Sequence, residues 1–360
     1  MKKEGKLRQD ISLILSSLDL GDNSKLEAVI LYGSYGRGEG AFYSVGEETF
    51  TYNDYDILLI VSELIDDKKI SEYKDLVSSK TDIKWIDLSQ MLKSDLEDLK
   101  PTIFNYDLKY GSEIIWGDES ILKYIRIQKS AQIQYQEIEI LFFTRLYTFI
   151  ASLDASGFQV GVKGEDARFF RYQMAKAVLA AVDCELILAG KYSHSYKEKV
   201  SLISGYMPEL KALSEWALRE KLCPSAPKMT TNQVVDLYKA VTRTFHKSML
   251  KGLSRLYKRK IDSTQRHIDC FNLSSKNFYA FLRTFLRRKV YSKFLEYHRI
   301  SFAQAFIVEH YLSQNTSKDY MLSYVRKQIK NYSNKNLKLE KNFSWNAHRV
   351  GLSELLKQSR

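Results

Sequence analysis

The stretch Leu31–Ile60, LYGSYGRGEGAFYSVGEETFTYNDYDILLI, constrains this chain more than any other. A short apolar run ends in a small-residue turn, Gly33-Ser34-Tyr35-Gly36-Arg37-Gly38. After a spacer, residues 35–53, two aspartates stand one residue apart, Asp54 and Asp56, at the head of a second apolar run. Residues at i and i+2 of a strand share a face, so both carboxylates point the same way, while Tyr55 and Ile57 point into the core.

Each half of the stretch has a chemical meaning. A strand running into Gly-Ser leaves backbone N–H groups and the Ser34 hydroxyl uncovered, and small residues let an anion approach closely. Arg37 adds a formal charge, and a helix beginning in the turn would add its positive end. Two adjacent carboxylates repel unless a cation lies between them. A pair of Mg²⁺ ions about 3.5–4 Å apart, shared with triphosphate oxygens, is the usual resolution.

The pattern Tyr32-Gly33-Ser34, spacer, Asp54-Tyr55-Asp56-Ile57 resembles the nucleotidyltransferase superfamily that includes DNA polymerase beta and the aminoglycoside nucleotidyltransferases. The extended form GSYGRGEG is similar to bacterial stand-alone members, and Ala41–Asn53 reads as an insertion. The resemblance covers roughly residues 26–118. It implies an NTP substrate, two Mg²⁺ ions on the acids, and in-line transfer of NMP to a hydroxyl with release of pyrophosphate. It also implies a third carboxylate on the next strand, which would bridge the ion that activates the acceptor hydroxyl. Asp82 and Asp87, five apart in DIKWIDL, point to opposite faces of such a strand. Asp82 shares its face with Lys84, and Asp87 shares one with Ile83 and Trp85, so Asp82 is the expected ligand and Asp87 a cap for a helix from Ser89.

The remainder supplies a platform. The expected fold class is α+β: a small mixed-sheet domain over 1–120, a helical bundle over 121–223, and a basic helical region over 224–360. A covering helix is expected at Lys3–Leu18, a hairpin-like excursion at 41–53, and a helix over Asp66–Lys80. Arg168–Ala189 reads as a long helix closed by Gly190. Ser195 and Glu198 have capping-box spacing. CPSAP, residues 223–227, is the clearest punctuation in the second half.

Charge separates the halves. Residues 1–120 hold 14 Lys and Arg against 24 Asp and Glu, whereas 241–300 hold 15 against 3. Such a basic region suits an anionic partner. Interleaved aromatics (Phe245, Tyr257, Phe278, Tyr279, Phe281, Phe285, Tyr291, Phe294) would add stacking surfaces, so RNA is a candidate acceptor. Lys176 and Tyr192 are candidate nucleotide contacts from the helical part. Three widely spaced cysteines, 184, 223 and 270, fit reduced thiols in a cytoplasmic protein. No apolar run reaches the length of a membrane span. None of the six histidines has an arginine at the spacing of a helical RNase site. The rival to an enzyme is a catalytically quiet module that keeps the fold and binds RNA or a partner protein.

Overall fold

The computed structural model describes residues 2–18, 25–80, 86–152 and 157–271. Helices and strands follow in the order α1 (Lys2–Ser17), β1 (Leu26–Tyr32), α2 (Gly33–Gly36), β2 (Phe42–Val45), β3 (Glu48–Thr51), β4 (Tyr55–Val61), α3 (Asp67–Lys80), β5 (Ile86–Leu92), α4 (Ile103–Tyr110), β6 (Glu113–Gly117), α5 (Gln136–Ala151), α6 (Gly157–Val160), α7 (Gly164–Leu188), α8 (Tyr196–Tyr206), α9 (Lys211–Leu222) and α10 (Thr231–Tyr257). They form an α+β chain of two packed units. Of the described residues, the first takes those up to 134 and 189–225; the second takes 135–152, 157–188 and 226–271. The sequence pattern suggested one continuous bundle over 121–223. Packing instead sends α8 and α9 to the first unit and α5–α7 to the second. The second crossing, at Ser225 and Ala226, falls within the expected CPSAP break.

The first unit is built on a four-stranded mixed sheet in the order β5-β4-β1-β6. β1 pairs antiparallel with β4 and β6, and β4 pairs parallel with β5. Both faces are covered, which explains the unbroken apolar runs of β1 and β4. Val29, Leu31, Ile57, Leu59 and Val61 pack with Ile14 and Leu18 at the α1 end and with Ile70, Tyr73 and Val77 of α3. Ala28, Ile30, Leu58 and Ile60 pack on the other face with Leu96, Leu108, Ile121 and Ile125. The spacer forms the expected hairpin: β2 and β3 pair antiparallel around Gly46.

β5 departs from the expected pattern. Ser89–Leu92 continue the strand, and a short 3-10 helix over Lys93–Asp98 replaces the expected α-helix. The parallel partner β4 supplies hydrogen bonds as far as Leu92, and tertiary pairing overrides local preference.

In the second unit α7 packs against α5 and α10. An added Cβ at Gly252 would fall 2.6 Å from Ile138 and 2.7 Å from the Cys184 sulfur, so a glycine is needed for this close approach. Glu139 of α5 accepts hydrogen bonds from the Tyr257 hydroxyl and the His267 ring, each at 2.6 Å. No helix of the described residues is long and apolar enough to cross a membrane.

Candidate active site

β1 and β4 lie side by side with Tyr32 opposite Asp56, so the turn after β1 and the acids at the head of β4 meet at one end of the sheet. The meeting is close. Gly33 has φ +66°, and a Cβ there would stand 1.8 Å from Asp56 Oδ2. A side chain at 33 is therefore excluded both by backbone conformation and by the carboxylate. α2 is a single turn, so it adds little dipole. What it offers is Ser34, 5% exposed, together with the amides of the turn.

Asp54 is exposed just ahead of β4, and Asp56 is half-buried on it. The parallel register continues the row: Asp87 of β5 stands opposite Asp56. Ile86 and Leu88 turn into the core, so Asp87 projects on the other face and is exposed. Asp82 lies outside the described residues. Its assignment rested on the faces of residues 82–85. Within the described strand, Asp87 is the carboxylate beside Asp56.

Asp54 and Asp87 both act on Asp56. Burial, followed by the charges of Asp54 and Asp87, pushes the Asp56 carboxyl up to about 7; Lys221 and Arg37 pull it back. Tyr32 feels the same group. Burial first and then Asp56 push its phenol up to about 12, with Asp87 and Asp54 adding to the effect. Among the described residues, no three His, Cys, Asp or Glu side chains form a ready-made metal cage. Mg²⁺ does not require one, because it is held by one or two carboxylates and keeps water and substrate phosphates as its other ligands. An all-carboxylate row with one member pushed up by burial and then by its neighbours fits such an ion in donor type and in charge.

Behind the acids, the turn is tied to the 192–199 segment by a buried network. Arg37 donates to Asp107 Oδ2 and to the Tyr196 hydroxyl, both at 2.9 Å, and lies over the Tyr196 ring. Its guanidinium is engaged within the unit; burial lowers its proton affinity, but Tyr196 and Asp107 more than restore it. Tyr192 is 3% exposed; its hydroxyl donates to Asp107 Oδ1 and accepts from Lys199. Lys176 belongs to α7 in the second unit, with its ammonium 5.1 Å from the Tyr172 ring.

Three further residues lie beside this network: Glu39, an outside candidate for the third carboxylate in the sequence, and Lys199 and Lys221, which the sequence did not single out. Glu39, 5% exposed, caps α8: its carboxylate accepts from Tyr196 N–H, Lys197 N–H and the Ser195 hydroxyl. Ser195 is the N-cap, as expected, and accepts from Glu198 N–H. The expected return bond from the Glu198 side chain is replaced, since that carboxylate accepts from Ser193. Lys199 and Lys221, 1% and 2% exposed, both lie near the Tyr196 ring, and Lys221 also acts on Asp56. A lysine at a helix position has no signal in sequence that distinguishes it from a solvated one. Tyr55 anchors the strand from beneath. Its hydroxyl donates at 2.8 Å to Asp10 of α1, which is fully buried and paired with Lys6.

No protein-family model matches the chain, and no curated protein matches it in sequence. Among solved structures, the chain is similar to a spectinomycin adenyltransferase, AAD(9), from Enterococcus faecialis, crystallised with ATP and spectinomycin. Identity is 12%, the TM-score is 0.41, and the match covers 66% of this chain and 98% of that one. Likeness at this level assigns no residue of this chain a role.

Proposed function

We propose that the first unit is a Mg²⁺-dependent nucleotidyltransferase that moves an NMP from an NTP to a hydroxyl acceptor and releases pyrophosphate. The observation that carries this reading is the contact between Gly33 and Asp56. It brings the amide-lined turn and the row of carboxylates Asp54, Asp56 and Asp87 to one point on the sheet. A surface glycine turn with unrelated acids would not need a Cβ-free residue against one carboxylate.

In this reading Asp54, Asp56 and Asp87 are the residues that would hold Mg²⁺. When bound, the ions neutralise the triphosphate and the leaving pyrophosphate and acidify the acceptor hydroxyl. Gly33 and Ser34 present the turn amides and a hydroxyl to the phosphates. Lys221 of α9 supplies positive charge toward Asp56, and Lys199 of α8 holds the Tyr192 hydroxyl. Arg37, Glu39 and Asp107 hold the turn and the α8 end in fixed relation, so that donors are oriented before substrate arrives. The hydroxyl acceptor belongs to a small molecule, an RNA or a protein.

Incubation with each labelled NTP, Mg²⁺ and cell extract tests the proposal. Label is expected in one acceptor fraction, with pyrophosphate released in step. An Asp56→Asn protein that keeps its fold and still releases pyrophosphate at the wild-type rate would overturn it.

A further inference from the structure

The second unit carries a basic ridge that the proposed chemistry does not use. Residues 237–261 contain eight Lys and Arg and no Asp or Glu. Six of them, Lys239, Arg243, Lys247, Lys251, Arg255 and Arg259, recur every fourth residue along α10 and just past its end. All but Lys239, which is half-buried, are exposed. Like charges at i and i+4 weaken a helix. Lys251 is offset by Glu185. The helix persists because Val234, Tyr238, Val241, Phe245, Met249 and Leu253 are buried on its other side.

The chemistry of this surface is narrow. The aromatics that sequence reading offered for base stacking are occupied where they are described. Phe245 is stacked on Phe142 in the core, and Tyr257 is bonded to Glu139. Phe278, Tyr279, Phe281, Phe285, Tyr291 and Phe294 lie outside the described residues. None of the large apolar side chains exposed among the described residues lies on α10. A surface of cations with no exposed ring or large apolar side chain has little to insert into a lipid layer and little to stack on an unpaired base. It suits a line of backbone phosphates, and at about 1.5 Å per residue the stretch of α10 from Lys239 to Arg255 runs about 24 Å.

We infer that this ridge docks the phosphate backbone of a base-paired RNA. The choice of RNA rests on the proposed transfer to a hydroxyl, since each terminal ribose offers two. The docking itself does not depend on that chemistry.

The test is binding of the full chain to a labelled 24-base-pair RNA, an unpaired oligouridine of the same length, a DNA duplex and vesicles of anionic lipid. The RNA duplex is expected to bind tightest, with log Kd rising with log salt at a slope of about 3 to 4, corresponding to about four phosphate contacts. Arg243→Glu with Lys247→Glu is expected to weaken binding at least tenfold; Lys68→Glu with Lys123→Glu, the same charge change on the first unit, is expected to change it less than twofold. Circular dichroism and the melting temperature confirm that the ridge variant is folded, and Arg243→Gln with Lys247→Gln provides a milder version. Oligouridine, DNA or vesicles binding more tightly than the RNA duplex would overturn the inference, as would equal weakening by both charge reversals. Asp56→Asn separates the two proposals: it is expected to abolish transfer and leave RNA binding intact.

Discussion

Glu39 caps a helix far away in the chain: its Oε2 accepts the Tyr196 N–H at 2.7 Å, and its Oε1 accepts the Lys197 N–H at 3.1 Å. The same carboxylate takes the Ser195 hydroxyl at 2.8 Å and lies 4.0 Å from the Arg37 Nε. The turn that carries Gly33 and Ser34 is thereby fastened to α8. Glu39→Ala would orphan two buried-end amides and remove an anion from a helix N-terminus, at a cost of about 2–3 kcal/mol. Urea unfolding is expected to show that loss, with Glu39→Gln losing about half as much.

Gly33 and Gly38 give a paired test of the close approach. Both have positive φ, +66° and +69°, but nothing lies within 4 Å of a Cβ built at Gly38. Alanine at either position costs about 1 kcal/mol of backbone strain. Only Gly33→Ala also displaces the Asp56 carboxylate. NMP transfer by Gly33→Ala is expected to fall at least a hundredfold in a folded protein, while Gly38→Ala keeps activity within a few-fold. Equal losses in the two variants would contradict the geometry.

Asp56 makes stability depend on pH in a definite direction. Its folded value, about 7, lies above the ordinary carboxylate value of 3.8. The native state therefore holds a proton that the unfolded chain has released between about pH 4 and 7, and metal-free stability falls as pH rises through that window. Asp56→Asn removes the penalty. The variant is expected to be more stable than wild type by about 2 kcal/mol at pH 8 and nearly equal at pH 4, measured without divalent ions. Mg²⁺ at pH 8 is expected to raise the melting temperature of the wild type and not that of the variant.

Lys221 opposes Asp54 and Asp87 in setting the charge of Asp56. Lys221→Met keeps the stem packed and deletes the cation. It is expected to raise KM for the NTP about tenfold or more and to move the stability window of Asp56 upward, as read by melting curves against pH. An unchanged KM would remove Lys221 from the phosphate site.

Much of the first unit was legible because its signals are local. Gly33-Ser34 announces a turn through conformational freedom, and Asp54-Tyr55-Asp56 announces two faces through the period of a strand. Gly190 does adopt φ +66° after α7. The residue that faces Asp56 across the sheet was not legible. Residues 82–88 read equally well as one strand, but parallel pairing with β4 carries β5 to Leu92, and register sets Asp87 against Asp56. Register depends on which strands become neighbours, and nothing in a heptapeptide records that.

The sequence by itself determined that a phosphate-sized turn and a same-face acid pair lie close in the chain, because glycine flexibility and strand alternation act over a few residues. Tertiary structure alone decided that Asp87 stands opposite Asp56, that Arg37 and Glu39 clamp α8, and that Lys221 acts on Asp56. Each of these pairs residues far apart in sequence, and their meeting follows from burial of the two sheet faces and the separate packing of the two units.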